Sequence, residues 1–265
     1  MQEAILLLAL LYQNKFESNL FFQNDAVYRW CLAGIDFCKS IQHKDGSFDE
    51  LYPNEQCFCA TSFLSCAIAE TLFTLNDKEL LKDHLSFLGK SAQWLIRNNN
   101  LEATNQVAEA AACLSFAYKL TGKEEYRKAV QDKLISLLNL QDSSGYLLEY
   151  GGWDIGYLSI SIASLAKIVK LKIDFDMNDE IDKMLNGAVK FVESKIHDDG
   201  TYDNIESSRN TQYLYPSGFI PAESKVIENL KKGLNNGRVL NPMWIDDRYC
   251  IALTIDYLRA YLESR

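Results

Sequence analysis

The chain has 265 residues, 48% of them hydrophobic and 24% charged, with only 4 prolines, so neither a disordered chain nor a collagen-like repeat fits. A formal net charge of -9 denies it the basic face of a general phosphate-backbone binder, and no nucleic-acid partner is expected. Apolar runs are broken by polar residues short of the ~20 residues that a membrane helix needs, so no membrane insertion is expected.

The opening, MQEAILLLALLYQNKF, lacks a basic n-region and a small-residue cleavage site. It reads as an amphipathic helix over 2–13 rather than a signal peptide. Its abrupt start inside a helical pattern suits a fragment of a longer protein. Apolar residues at helical spacing predict further helices at 25–42, 57–76, 79–98, 103–121, 123–140, 155–171, 178–196, 222–235 and 246–263. Asn76-Asp77 and Asn178-Asp179 are expected N-caps, and Thr121-Gly122 a helix stop. Strand signals are few and short, and no Pro/Gly/Ser-rich linker divides the chain. The expectation is therefore one all-α domain over 1–265.

Three of the helices are followed by similar loops. Gln42–Glu50 contains Asp45-Gly46-Ser47-Phe48-Asp49, Gln141–Tyr150 contains Ser144-Gly145-Tyr146, and His197–Asp203 contains Asp199-Gly200-Thr201-Tyr202. Glycine just after a helix supplies a left-handed C-terminal turn, which accounts for the Asp-Gly part. It does not account for the aromatic and acidic residues that recur behind it. Paired helices with recurring loops bury their apolar faces either as an open solenoid or as a closed α/α toroid. The uneven glycine spacing favours an incomplete toroid of antiparallel hairpins, with its long loops gathered at one end.

Seven cysteines, an odd number without a CxxC pair, argue against a disulfide framework and point to a reducing, cytoplasmic setting. Cys57-Phe58-Cys59 is the one close pair, and no second Cys/His pair answers it as a metal site. No metal and no cofactor is expected: GxGxxG, GxxxxGK[ST], GxSxG, HExxH and EF-hand patterns are all absent from the sequence. Lys167, Lys170, Lys172, Lys231 and Lys232 read as solvated helix ends.

Four loops hold the unusual residues: 45–55, 145–157, 203–219 and 241–249. Aromatic planes beside carboxylates, amides and an arginine suit a carbohydrate, whose C–H faces stack on rings and whose hydroxyls want planar partners. The substrate-binding candidates are Asp49, Glu50, Tyr52, Asn54 and Glu55, then Glu149, Tyr150, Trp153, Asp154 and Tyr157, and finally Trp244. Each has a plainer role to set against this. Asp154 and Asp246 fit helix caps, Glu55 fits a helix N-terminus, and Tyr52, Trp153 and Trp244 fit rim aromatics that pack loops together.

Taken together, DGSFDELYPNEQCFCATSFLSCAIAETL, NQVAEAAACLSFAYKLTG, GYLLEYGGWDIGYLSISIASLAKI and SSRNTQYLYPSGF resemble the N-terminal α/α-toroid domain of heparinase II/III-like proteins. The resemblance covers about residues 25–220, and its most specific pieces are YPNE, GYLLEYGGWDIGYL and SRNTQYLYP. It implies bacterial capsule or exopolysaccharide metabolism and a uronate polysaccharide lyase, which works by β-elimination. Arg209 and Asn210 would then hold the C5 carboxylate, and Tyr213 or Tyr215 would act as base and acid. His197 is a weaker candidate, being placed as a partner of a helix C-terminus. Two departures stand out: nothing reads as the β-sandwich of the full-length lyases, and histidine is scarce, with only His43, His84 and His197. A glycoside hydrolase drawing two carboxylates from Asp49, Glu50, Glu149 and Asp154 is one rival reading. A non-catalytic glycan-binding or assembly module is the other. The partner in every case is an oligo- or polysaccharide or another sugar-containing ligand; the sequence does not indicate an oligomeric state.

Overall fold

The computed structural model describes residues 3–265, with Arg248 described by its backbone alone. Among them the regular structure is helical. The helices are α1 (Ala4–Gln13), α2 (Asp25–Ile41), α3 (Phe58–Leu75), α4 (Lys78–Arg97), α5 (Thr104–Thr121), α6 (Glu124–Asn139), α7 (Ile155–Lys170), α8 (Asn178–Lys195), α9 (Lys225–Asn235) and α10 (Asp247–Glu263). Short 3-10 turns at Ser217–Phe219 and Pro242–Trp244, which the periodicity does not announce, complete the set. The residues gather into two compact units, one running through Asn99 and including Cys113–Ala129, the other comprising Asn100–Ala112 and Val130–Arg265.

In the first unit, α1 packs on α2 and α3, and α3 packs on α4. Gly34 of α2 lets Ile5 come close, and Cys31, Ile35 and Cys38 lie fully buried along the same face. Cys31 and Cys38 behave as small core hydrophobes, and burial pushes their thiols up to about 12 and about 11. The turn between α3 and α4 matches its sequence signal. Asn76 adopts a left-handed φ of 48° as the C-cap, and Asp77 accepts from the amides of Glu79 and Leu80 at 2.9 and 3.2 Å. The expected cap at Asn178 is not formed: Met177 takes the N-cap position of α8 and makes no side-chain cap. One sequence expectation is corrected at α3. By length and composition Phe58–Leu75 is apolar enough to cross a membrane, because Ser, Thr and Cys interrupt the run without making it hydrophilic. It is nevertheless a core helix, carrying Thr61, Ser62, Ser65, Glu70 and Thr71 into the buried interior.

In the second unit, α7 packs on α8 and on the Ser217–Phe219 turn, which also packs on α10. Lys167 is corrected as well. It is not a solvated helix end, since its ammonium lies 2.9 and 3.2 Å from the Glu109 carboxylate with a side chain only 11% exposed. Ser164 donates to the same carboxylate at 2.5 Å.

The recurring loops share one build. In each, a tight turn leads into a glycine of positive φ, and the amide of the first turn residue is bonded to the carbonyl of the residue after the glycine. His43 N donates to Ser47 O, Asp142 N to Tyr146 O, and His197 N to Thr201 O, at 3.0, 2.9 and 2.8 Å. This is a one-turn β-hairpin with a glycine bulge grafted onto a helix end. Each glycine then lies against the backbone of another helix in its own unit: Gly46 on Lys90, Gly145 on Gly187 and Gly200 on Asn229. Gln42 clips the first dock, donating to Phe87 O at 3.2 Å and to Gly46 O at 3.5 Å. Gln141 repeats this at the second dock with Met184 O at 2.9 Å and Gly145 O at 2.8 Å. The aromatic tail has a structural use too. Phe48 is 1% exposed with its ring edge on Phe87, Tyr146 packs on Phe191, and Tyr202 donates to Tyr213 O at 2.6 Å.

Candidate functional site

In the first unit the 49–56 loop is tied to itself by its own carboxylates. Asp49 accepts from the amides of Asn54 and Gln56 at 2.8 and 2.9 Å, and His43 Nε2 lies 2.8 Å from its Oδ1. Glu55 Oε2 accepts from the successive amides of Glu50, Leu51 and Tyr52 at 3.0, 3.0 and 3.4 Å. The backbone bonds from Gln56 and Leu51 are the chief reasons that Asp49 and Glu55 are held below the usual carboxylate range. Asn54 and Gln56 adopt positive φ to point their amides inward. Glu50 accepts from the Cys57 thiol at 3.4 Å, and Leu51 and Tyr52 stand about 70% exposed at the apex. Asp49 and Glu55 thus anchor a turn, and Tyr52 is its exposed aromatic.

The second unit brings together a different set. Glu149 N bonds Gly152 O at 2.8 Å and Gly152 N bonds Glu149 O at 3.1 Å, so Tyr150 and Gly151 form a two-residue hairpin turn with φ of 50° and 81°. A left-handed tyrosine is costly by ~1–3 kcal/mol, and such backbone is retained where its surroundings over-determine it. Here it presents the ring to Arg209, whose guanidinium lies 4.3 Å from the Tyr150 ring centre and 5.9 Å from that of Tyr157. Tyr157 meets Tyr213 edge to face at 6.2 Å, and Tyr213 meets Tyr215 at 5.9 Å and Tyr249 at 5.0 Å. Arg209 is exposed, and among the described residues no carboxylate is paired with it. The Tyr213 hydroxyl is buried without a hydrogen-bond partner. Burial, with the neighbouring tyrosines adding, raises Tyr213 far above the ordinary phenol range, and burial raises Tyr157 as well. Asn210, exposed at a φ of 51°, is bonded by Gln212 Nε2 through its side-chain oxygen at 3.2 Å.

Asp154 holds this arrangement from below. It is fully buried and caps α7 by accepting from Tyr157 N at 3.0 Å. It also accepts from Thr211 N at 3.0 Å, from Ser207 Oγ at 3.2 Å and from the Thr211 hydroxyl. Thr211 Oγ1 in turn accepts from Gly156 N at 3.0 Å. One carboxylate therefore pins the 207–211 strap, with Arg209 in its middle, onto the start of α7.

Glu149 is also fully buried. Its Oε1 accepts from Thr104 Oγ1, Asn105 N and Asn105 Nδ2 at 2.9, 2.6 and 2.9 Å, a cap for α5 supplied from a distant loop. Its Oε2 has no partner, and burial pushes the carboxyl up to about 7 against the pull of those donors. The folded pKa thus lies above the unfolded one, so the native state holds the extra proton. Stability from this group is complete below the unfolded value of 4.5 and is lost as pH rises through about 7, on the order of 3 kcal/mol in all. Glu149→Gln keeps an oxygen for the three donors and cannot ionise. Urea denaturation between pH 5 and 8 should give the variant a flatter profile and greater stability than the parent at pH 8. Equal slopes would show that Glu149 does not carry the proton.

Trp153 turns away from the tyrosines toward Phe191, 5.7 Å away, with the Lys195 ammonium 4.7 Å over its ring. Trp244 is 69% exposed on the Pro242–Trp244 turn. Tyr249, Thr211 and Ser207 are absent from the sequence-derived candidate set, because nothing local marks them. They matter only through partners that the fold brings from elsewhere.

The sequence matches no family model and no curated protein. Among solved structures the chain is similar to one described as a glycosyl hydrolase family 88 protein from Bacteroides vulgatus, with a TM-score of 0.59 and 12% identity over 97% of this chain and 76% of that one. It is similar also to a polysaccharide lyase, with a TM-score of 0.59 and 11% identity over 97% of this chain and 75% of that one. Neither description names the heparinase II/III-like family. At such identities the likeness is one of fold alone, and the fold is all-α, of the α/α-toroid class anticipated from the paired helices.

Proposed function

We propose that the chain is a carbohydrate-active protein that binds a uronate-bearing oligo- or polysaccharide at the Arg209–tyrosine cluster and cleaves it by β-elimination. One observation carries the reading: an exposed guanidinium stacked on a strained Tyr150, two rings from the partnerless Tyr213 hydroxyl. Stacking engages the face of the guanidinium and leaves its N–H edge for a carboxylate. The tyrosine rings offer surfaces for the apolar faces of sugars. In the reaction Arg209, with Asn210 beside it, neutralises the C5 carboxylate and so acidifies the C5 proton. Burial keeps Tyr213 a phenol, which suits delivery of a proton to the leaving oxygen; Tyr215 is the candidate base. The names of the two structural neighbours and the heparinase II/III-like segments support the substrate class, and with it a place in bacterial capsule or exopolysaccharide metabolism.

The glycoside hydrolase alternative has one observation of its own, the Glu149 carboxyl raised to about 7 as a general acid requires. Against it, Glu149 Oε1 already accepts three bonds as the cap of α5, and Asp154 accepts four. The test is incubation with uronate-containing polysaccharides while following the ultraviolet absorbance of an unsaturated product. Tyr213→Phe should lower turnover by roughly 100-fold or more with affinity nearly unchanged. Arg209→Lys should weaken binding, since the planar fork is lost. Reducing ends without an unsaturated product would favour the hydrolase. Binding without turnover would make the chain a glycan-binding module, and no binding at all would remove the reading.

A further inference from the structure

The outward side of α2 carries an exposed apolar seam. The buried side of the helix is Val27, Cys31, Ile35 and Cys38, which belong to the core of the first unit. Turned away from these, Trp30 is 61% and Phe37 52% exposed, Ala33 is exposed and Ala26 is half-buried. Positions 26, 30, 33 and 37 step by four, three and four residues, so they share one face of the helix at the spacing of a coiled coil. Single exposed apolar residues are ordinary, but two aromatics along one seam mark an interaction surface. Arg29 and Asp36 border the seam on its polar side. Arg29 is exposed, and no carboxylate among the described residues is paired with it. Asp36 Oδ1 lies 3.8 Å from His84 Nε2, and its side chain stays 68% exposed. We infer that this face of α2 is the centre of a two-fold homodimer, docked antiparallel on α2 of a second copy of the chain.

The occupant follows from the order of residues along the seam, where small and large alternate: Ala26, Trp30, Ala33, Phe37. Laid antiparallel so that Trp30 meets Ala33 of the second copy, the same register sets Phe37 on Ala26 of that copy. The two-fold axis then repeats both contacts, and every aromatic faces an alanine. A parallel pairing would instead set Trp30 on Trp30 and Ala33 on Ala33, crowding one layer and emptying the next. The antiparallel register is complementary in charge as well. It brings Arg29 beside Asp36 of the second copy, and Asp36 beside Arg29 of that copy, so that an ion pair flanks the seam at each end. Within one chain the two are seven residues apart, ~10 Å along the axis, too far to pair with each other. The neighbouring α1 widens the surface: its sequence, AILLLALLYQ, is apolar nearly all round, yet Leu7, Leu8 and Leu11 are not fully buried.

The experiment measures the mass of the chain by sedimentation equilibrium from about 1 to 100 µM. With rising concentration the parent should approach twice its 30.2 kDa. Trp30→Glu should weaken association at least ~100-fold, since a central aromatic seated on a small residue dominates such an interface. Arg29→Asp and Asp36→Arg should each weaken it about 10-fold, and the two changes combined should return it to within about 3-fold of the parent. All three positions are exposed, so circular dichroism and thermal melts should show each variant folded like the parent. Recovery in the combined variant reports the Arg29–Asp36 register itself, which non-specific association of an apolar face would not reproduce. A parent that keeps the mass of one chain at about 100 µM would overturn the inference and leave the seam to a different partner. A Trp30→Glu variant that still dimerises, or a combined variant no better than the single ones, would overturn it too.

Discussion

Asp154→Ala is expected to destabilise the second unit by roughly 3–5 kcal/mol, the lower part of the range spanned by a lost cap worth ~1 kcal/mol and buried donors left unmet at ~1–3 kcal/mol each. The cap is the bond from Tyr157 N; the donors are Thr211 N, the Thr211 hydroxyl and Ser207 Oγ. Ser207 can turn to water because it is only half-buried, which keeps the sum below its upper bound. A loss of that size lowers the melting temperature by on the order of 10 °C. Asp154→Asn keeps an acceptor for the cap but turns an amide N–H₂ toward the strap, and should fall between the two. Both variants should also move Arg209, so glycan binding should weaken even where the protein stays folded. A thermal melt within 2 °C of the parent, roughly the scale of 1 kcal/mol, would show that the strap is held by something else.

Gly145→Ala should be nearly as damaging, at roughly 3–5 kcal/mol, from backbone strain of ~1–3 kcal/mol and a steric shift of similar size. Gly145 has a φ of 105°, and an added methyl would lie 2.7 Å from the carbonyl carbon of Gly187 and closer still to its oxygen. Backbone cannot yield as a side-chain tip does. Gly151 supplies the control, because its φ is 81° while nothing lies within 4 Å of an added Cβ. Gly151→Ala should therefore show only the strain, about 1–2 kcal/mol. Urea midpoints of the two variants separate the effects, and equal losses would mean that the dock on α8 contributes nothing.

What was legible in the sequence follows from the distance over which each cause acts. Helix positions come from local periodicity, and the Asn76-Asp77 turn comes from adjacent residues, so both match. The recurrence of the glycine loops was visible as well, but their aromatic tails suggested a ligand when Phe48 and Tyr146 pack on Phe87 and Phe191. Lys167 resembled a solvated helix end because its partner Glu109 is 58 residues away. Asp154 was foreseen as a cap, yet its hold on Thr211 spans 57 residues and left no trace in the sequence. Arg209 and its tyrosines stood out by composition alone, and the choice of Tyr150 and Tyr157 as its stacking partners required the fold.

The cap on α5 has a consequence for how the chain is made. Asn105 receives its carboxylate from Glu149, 44 residues later. During synthesis at ~5–20 residues per second, the start of α5 must wait roughly 2–9 s for that group to emerge. Until then its first amides face water or a chaperone, and the helix frays from that end. Ribosome-bound chains stalled before Glu149 emerges should accordingly be cut by protease near Thr104, and chains released after it should resist.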